Sequence, residues 1–159
     1  KSLISDNEQP LIIKDFVQNV DLILFEKLEA NDILFIDSSH VSKVGSDLNF
    51  ILFEILPRLK AGVIIHFHDI FYPFEYPKEW ILGGRCWNEV YLIRAFLMNN
   101  QDYEILLFPS LLETTHRKWL NVNMPDVLKV HEKWPNEDNF ECYLDIMGQS
   151  LWLKKSVVS

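Results

Sequence analysis

The chain has 159 residues, which suits a single domain, and 48% of them are hydrophobic, which is enough for a packed core. Its formal net charge of −8 predicts a surface that repels nucleic acid and anionic membranes, so we expect neither as a partner. The longest apolar runs have the length of strands and fall far short of the roughly 20 residues that a membrane span needs.

The cysteine content indicates a reducing compartment. The sequence has 2 cysteines, Cys86 and Cys142, which share no metal-ligand spacing. Free cysteines are typical of proteins kept in a reducing environment. We therefore expect a cytoplasmic protein.

Apolar patterns predict strands and helices that alternate along the chain. In chain order they are a strand at residues 11–17, a helix at 21–28, a strand at 33–37, a helix that begins after Ser46, a strand at 63–67, a helix at 87–98 and strands at 103–108 and 150–154. The continuous apolar runs at 33–37 and 63–67 are typical of strands buried on both faces of a parallel sheet. Residues 111–145 mix charges, prolines and tryptophans, which predicts an irregular insertion or lid. The alternation favours a three-layer α/β/α domain.

Polar side chains follow two consecutive predicted strands. Asp37 ends one strand and His40 lies three residues beyond it, while His68 and Asp69 follow the next strand. A right-handed crossover helix between parallel strands places their carboxyl ends side by side, where α/β proteins bind ligands. Asp37, His68 and Asp69 are therefore candidate ligands of a divalent cation, which leaves His40 free to act as a base.

Other interpretations of these residues stay open. Asp37 can cap a turn beside a solvated His40, and His66, two residues before His68, fits packing better than ligation. An iron oxygenase that uses His66, His68 and Asp69 is one alternative, although three ligands from one strand end converge poorly. A zinc hydrolase and a non-catalytic interaction domain are the others.

The loop and helix start near residue 85 form a weaker candidate site. Arg85, Trp87, Asn88 and Glu89 follow a pair of glycines and can line a substrate site. The alternative for Glu89 is that it only serves the first turn of a helix.

Three stretches of the chain carry a family resemblance. They are NDILFIDSSHVSKVGSDLNFILFEILPRLKAGVIIHFHDIFYPFEYPKEW, RCWNEVYLIRAFL and GQSLWLKK. They resemble class I S-adenosylmethionine-dependent methyltransferases, and within them the small-molecule O-methyltransferases of the macrocin type. That branch carries Asp-x-x-His after strand four and a His-Asp or Glu-Asp pair after strand five. The resemblance covers roughly residues 11–108 and 148–155.

The resemblance implies a Rossmann-like sheet with the strand order 3-2-1-4-5-7-6 and an antiparallel strand seven. Residues 11–17 then correspond to strand three, and the later predicted strands correspond to strands four to seven. None of the 5 glycines forms the Gly-x-Gly turn that follows strand one in the family. We therefore expect a single, N-terminally incomplete domain over residues 1–159, the C-terminal part of a longer protein that lacks strands one and two.

The resemblance also implies a cofactor and roles for particular residues. S-adenosylmethionine is the expected cofactor, and the residues expected to bind it are Val17, Gln18, Asp37 and Ser38. In metal-dependent relatives, the residues that match Asp37, His68 and Asp69 bind Mg²⁺ or another divalent cation. The match to His40 is the general base, whose pKa a nearby cation is expected to depress. The expected partners are a small hydroxylated methyl acceptor, such as a sugar or natural product, and, as one option, a second copy of the chain in a homo-oligomer.

Overall fold

The computed structural model describes residues 11–128 and 148–156. Within them, the chain forms a mixed sheet with the strands β1 (Ile33–Ile36), β2 (Ile64–His68), β3 (Tyr103–Leu107) and β4 (Ser150–Lys155). Each of these strands starts and ends within one residue of a predicted strand. The predicted α/β class is confirmed.

The order of the described strands is β1-β2-β4-β3. β1 and β2 run parallel, and β4 is antiparallel to both of its neighbours. This corresponds to the 4-5-7-6 part of the strand order that the resemblance implies. The absence of strands one and two and the three-layer arrangement stay predictions.

The predicted strand at residues 11–17 is wrong. This segment runs without secondary structure into a 3₁₀ turn at Val17–Asn19. The carboxylate of Asp15 accepts hydrogen bonds from the backbone N–H of Phe16 at 2.7 Å and from the side-chain amide of Asn19 at 2.8 Å, which favours the turn. A strand also needs a neighbour for its backbone groups, and no described strand pairs with residues 11–17.

Five α-helices accompany the sheet in the described part of the chain: α1 (Ile23–Glu26), α2 (Asp47–Phe50), α3 (Lys78–Leu82), α4 (Glu89–Leu97) and α5 (Pro109–Asn123). Ser46 caps α2 by accepting a hydrogen bond from the backbone N–H of Asn49. A π-helical segment, Ile51–Ile55, and a 3₁₀ turn, Leu56–Arg58, continue α2 towards β2. A final 3₁₀ turn, Pro125–Leu128, follows α5.

The hydrophobic core lies against the two central strands. The side chains of Ile65 and Phe67 on β2 and of Leu151 and Leu153 on β4 are fully buried. The apolar stripe that begins at Leu48 in α2 packs into the same core, as its helical spacing predicts. This packing holds the carboxyl ends of β1 and β2 in place, where the candidate site lies.

Helix α5 replaces part of the predicted irregular insertion. Residues 111–123 are helical, with a local break in helical geometry at His116. Residues 129–145 of that prediction lie outside the described residues, so the lid stays a prediction. No helix within residues 11–128 and 148–156 is long and apolar enough to cross a membrane.

Candidate active site

The carboxyl ends of β1 and β2 bring four predicted site residues together. Ile36 of β1 pairs with Phe67 of β2, so Asp37, just after β1, lies beside His68, the last residue of β2. The Nε2 atom of His40 lies 3.4 Å from Asp37 Oδ1 and 3.8 Å from Asp69 Oδ2. His68 Nε2 lies 3.5 Å from the other oxygen of Asp69.

A buried carboxylate orients His40. The Nδ1 atom of His40 lies 2.5 Å from Oε2 of Glu89, which is the first residue of α4 and only 1% exposed. Because a carboxylate oxygen can only accept, Nδ1 carries the proton of the neutral imidazole. The other ring nitrogen, Nε2, faces Asp37 and Asp69. This is the geometry of a base held in one tautomer by a carboxylate.

Ser38 and the backbone complete this arrangement. The hydroxyl of Ser38 donates to Glu89 Oε1 at 3.2 Å and accepts from the backbone N–H of His40 at 2.9 Å. The carbonyl oxygen of His40 accepts from the backbone N–H groups of Asn88 at 3.0 Å and Glu89 at 3.2 Å. The loop after β1 is thereby joined to the start of α4, so the base and its orienting carboxylate are fixed relative to each other.

Two site residues adopt a backbone conformation that is rare outside glycine. His40 and Asp69 both have φ of 57°, in the left-handed region. Such residues cost of order 1–3 kcal/mol each and cluster at functional sites. Trp87 packs on the imidazole of His40 with ring centroids 4.1 Å apart, which gives the site an aromatic wall.

Carboxylates raise the pKa of His40. Burial of the imidazole disfavours its charged form, but the hydrogen bond to Glu89 and the charges of Glu89, Asp69 and Asp37 outweigh burial, so the pKa lies above the ordinary 6.5. The depression expected from a nearby cation concerns the cation-bound protein and stays a prediction. Burial in turn raises the pKa of Asp69, against the opposing charges of His68 and His40.

Replacing Glu89 by glutamine is expected to lower the pKa of His40. The variant keeps the shape of the side chain but removes a negative charge and the charged acceptor of the Nδ1–H bond. In an NMR titration of the His40 Cε1 proton, the midpoint should lie above 6.5 in the wild type and move to lower pH in Glu89→Gln. The raised pKa also means that protonated His40 stabilises the fold below about pH 6.5, and this contribution is lost as the pH rises through the folded-state pKa.

The matched control for this titration is Glu75→Gln. Glu75 is exposed and accepts a hydrogen bond from the hydroxyl of Tyr91, away from His40. This variant changes the net charge equally and should leave the midpoint of His40 in place. An unchanged midpoint in Glu89→Gln would contradict the assigned role of Glu89.

A cavity of about 500 Å³ opens beside the same strand end. Its lining includes the four residues expected to bind the cofactor, Val17, Gln18, Asp37 and Ser38. The side-chain amide of Gln18 donates to the carbonyl of Gly45 at 2.9 Å, while its oxygen is buried and has no hydrogen-bond partner among residues 11–128 and 148–156. A volume in the range of small-molecule sites and an unused buried acceptor together fit an amine-bearing ligand.

The predicted cation site at Asp37, His68 and Asp69 finds no support in the described residues. Among residues 11–128 and 148–156, no three His, Cys, Asp or Glu side chains are arranged to hold a metal ion. The carboxylates of Asp37 and Asp69 both face the ring nitrogen of His40. The cation site therefore stays a prediction.

His66, one of the ligands in the iron alternative, lies within β2, and that alternative stays untested. His66 is buried between Phe35 and Trp152, with ring centroids 4.5 and 4.4 Å away. Its ring centroid lies 6.1 Å from that of His68. His66 thus packs in the sheet, which is the role its position in β2 favours.

The similarity of the chain to known proteins agrees with its fold and with the location of the site. A parallel strand pair with polar residues at its carboxyl ends is characteristic of α/β proteins that bind ligands there. Residues 9–70, less than half of the chain, match a family model described as a methyltransferase domain. This match supports a class I S-adenosylmethionine-dependent methyltransferase domain, and with it S-adenosylmethionine as the methyl donor. No curated protein and no solved structure gives a significant match.

Proposed function

We propose that the protein is an S-adenosylmethionine-dependent O-methyltransferase that acts on a small hydroxylated molecule, such as a sugar or natural product. The observation that carries the proposal is the His40–Glu89 pair, a base held in one tautomer beside a cavity of about 500 Å³. Asp37 links the two, because it lines the cavity and also contacts His40. The family match over residues 9–70 supports methyl transfer as the reaction class.

The residues of the cavity fit the cofactor. In this proposal the buried oxygen of Gln18 would accept a hydrogen bond from the adenine amino group, and the Asp37 carboxylate would accept one from a ribose hydroxyl. When bound, S-adenosylmethionine supplies a methyl group that its positively charged sulfur makes electrophilic.

His40 acts on the acceptor as a general base. An alcohol is a weak nucleophile, and Nε2 removes its proton as the oxygen attacks the methyl group. Glu89 stabilises the imidazolium that forms, as do the nearby carboxylates of Asp37 and Asp69. The packing of Trp87 on the imidazole and the hydrogen bonds around residue 40 hold the base in place. Such positioning of the reacting groups is a large part of the rate increase that a preorganised site provides.

Filling the cavity is expected to weaken cofactor binding. Val17 lines the cavity, so Val17→Arg places a long charged side chain in the proposed cofactor site. Calorimetric titration with S-adenosylhomocysteine should show affinity at least about 10-fold weaker than in the wild type, because each 1.4 kcal/mol lost is tenfold in affinity. The control Val122→Arg adds the same side chain at an exposed position of α5 and should bind normally. Equal binding by both variants would place the cofactor elsewhere.

Whether the site also binds a divalent cation is tested separately. The test is a calorimetric titration with Mg²⁺ of two proteins, the wild type and an Asp37→Ala, Asp69→Ala double variant. Binding by the wild type that the double variant loses would add a cation to the site. The absence of binding in both proteins would leave His40 and Glu89 as the complete proton-transfer machinery.

A further inference from the structure

Arg85 is held rigidly between two tryptophans. It lies in the loop between α3 and α4, with its guanidinium carbon 4.0 Å from the ring centroid of Trp80 and 4.9 Å from that of Trp87. Its backbone N–H donates to the carbonyl of Trp80 at 3.0 Å. Arginine stacks on aromatic faces in this way because its planar cation is attracted to the π-system. The stacking fixes the plane of the guanidinium.

The hydrogen-bonding edge of this guanidinium is unused. Within the part of the chain that the structure describes, the Arg85 side chain makes no ion pair and no hydrogen bond. By contrast, Arg58 pairs with Glu54 and Arg117 with Glu113, each one helical turn away. Five in-plane donors on a fixed, partly buried cation are thus available to a ligand.

Arg85 is close to the proposed catalytic base. Trp87 packs on Arg85 at 4.9 Å and on His40 at 4.1 Å, so the guanidinium carbon lies no more than about 9 Å from the centre of the imidazole. The positive charge of Arg85 also acts at Asp69, whose pKa it works to lower. The cation therefore borders the site in which the acceptor would lie.

We propose that Arg85 binds an anionic group of the methyl acceptor, a carboxylate or a phosphate, so that the substrate is a hydroxylated acid. The inference rests on the proposed function and names its substrate class. Arginine binds both groups through two parallel N–H···O bonds, which fix orientation as well as contributing affinity. Around His40, the carboxylates of Asp37, Asp69 and Glu89 repel an anion. The anionic end of the acceptor therefore lies at Arg85, and its hydroxyl reaches His40.

Tryptophan fluorescence reports directly on this site, because Trp80 and Trp87 enclose the guanidinium. The wild-type protein is titrated with sodium acetate and, separately, with sodium phosphate, at constant ionic strength. We expect a saturable change with at least one anion, and the anion that binds more tightly distinguishes a carboxylate from a phosphate. In Arg85→Met the affinity should fall about 10- to 100-fold, the range of a charge-assisted hydrogen-bonded pair. In Arg85→Lys, which keeps the charge but not the planar fork, the loss should be smaller.

Arg94→Met is the matched control. Arg94 is exposed on α4 and its removal changes the net charge equally, so anion binding should persist. The proposal is overturned if neither anion saturates the wild type, or if Arg94→Met loses binding to the same extent as Arg85→Met. It is also overturned if Arg85→Lys and Arg85→Met both bind like the wild type. Titration of the same samples with S-adenosylhomocysteine tests cofactor binding separately from anion binding. A failure to bind S-adenosylhomocysteine rejects the proposed function, and the result for anion binding at Arg85 stands independently of it.

Discussion

His40→Ala is expected to lower the rate of methyl transfer by about 10²–10⁴-fold, the usual contribution of a positioned base. Without the imidazole, the groups beside the former position of Nε2 are the carboxylates of Asp37 and Asp69, which are ordinarily weaker bases than imidazole. The affinity for S-adenosylhomocysteine should change little, since His40 is not among the residues that line the cavity. The measurement is turnover with labelled S-adenosylmethionine and any acceptor that the wild type methylates.

A control variant distinguishes the loss of the catalytic base from the loss of any histidine. His116→Ala removes an exposed histidine from α5 and should leave turnover unchanged. Since His40 is only 5% exposed and partners the buried Glu89, thermal unfolding of His40→Ala must be recorded beside its rate. A folded His40→Ala protein with near-normal turnover would show that the His40–Glu89 pair is structural.

Phe67→Ala is expected to reduce the free energy of unfolding by about 3–5 kcal/mol. Phe67 is 0% exposed in β2, with Ile36 and Leu151 as its register partners on the two neighbouring strands. Truncation removes buried apolar surface and leaves a cavity in the middle of the sheet. Because domains are stable by only about 5–15 kcal/mol, this is a large share of the total. Urea unfolding followed by circular dichroism measures it.

Phe53→Ala is the comparison for this core substitution. Phe53 lies in the π-helical segment and is 65% exposed, so the same truncation should cost under about 0.5 kcal/mol. Similar losses in the two variants would mean that the central strands are not the main source of stability.

The sequence predicts the positions of the described strands well and the segment before them poorly. Residues 33–37 and 63–67 are continuous apolar runs, and β1 and β2 lie within one residue of them. The expected burial on both faces holds for most of β2 but not for β1, where Ile33 and Phe35 are 54% and 59% exposed. Residues 11–17 have equal strand propensity, but a strand exists only as part of a pair, and pairing is not a local property. Local turn bonds from Asp15 prevail there instead.

The sequence predicts only the site residues that lie at or just after the carboxyl ends of the strands. The positions of Asp37, His40 and Asp69 follow from the parallel pair and its crossover helix, since the topology places both carboxyl ends together. The bond between His40 and Glu89 joins residues 49 apart in the chain, and no periodicity links them. In the sequence, Glu89 is an acid in the first turn of a predicted helix, near other polar residues. This pattern is equally typical of an acid that only stabilises the start of a helix, so it does not identify Glu89 as a site residue.

The position of β4 has a consequence for how the chain acquires its structure during synthesis. β4 is made after every other described strand, yet it lies between β2 and β3. Until residue 155 has left the ribosome, β4 cannot pair with β2 and β3. The apolar residues of β2 therefore lack their neighbours Leu151 and Leu153 during synthesis. Long-range pairing of this kind makes folding slow and leaves strand edges open to aggregation. Nascent chains that stop before β4 should therefore be clients of chaperones, and release of the last strand should be the step that ends that dependence.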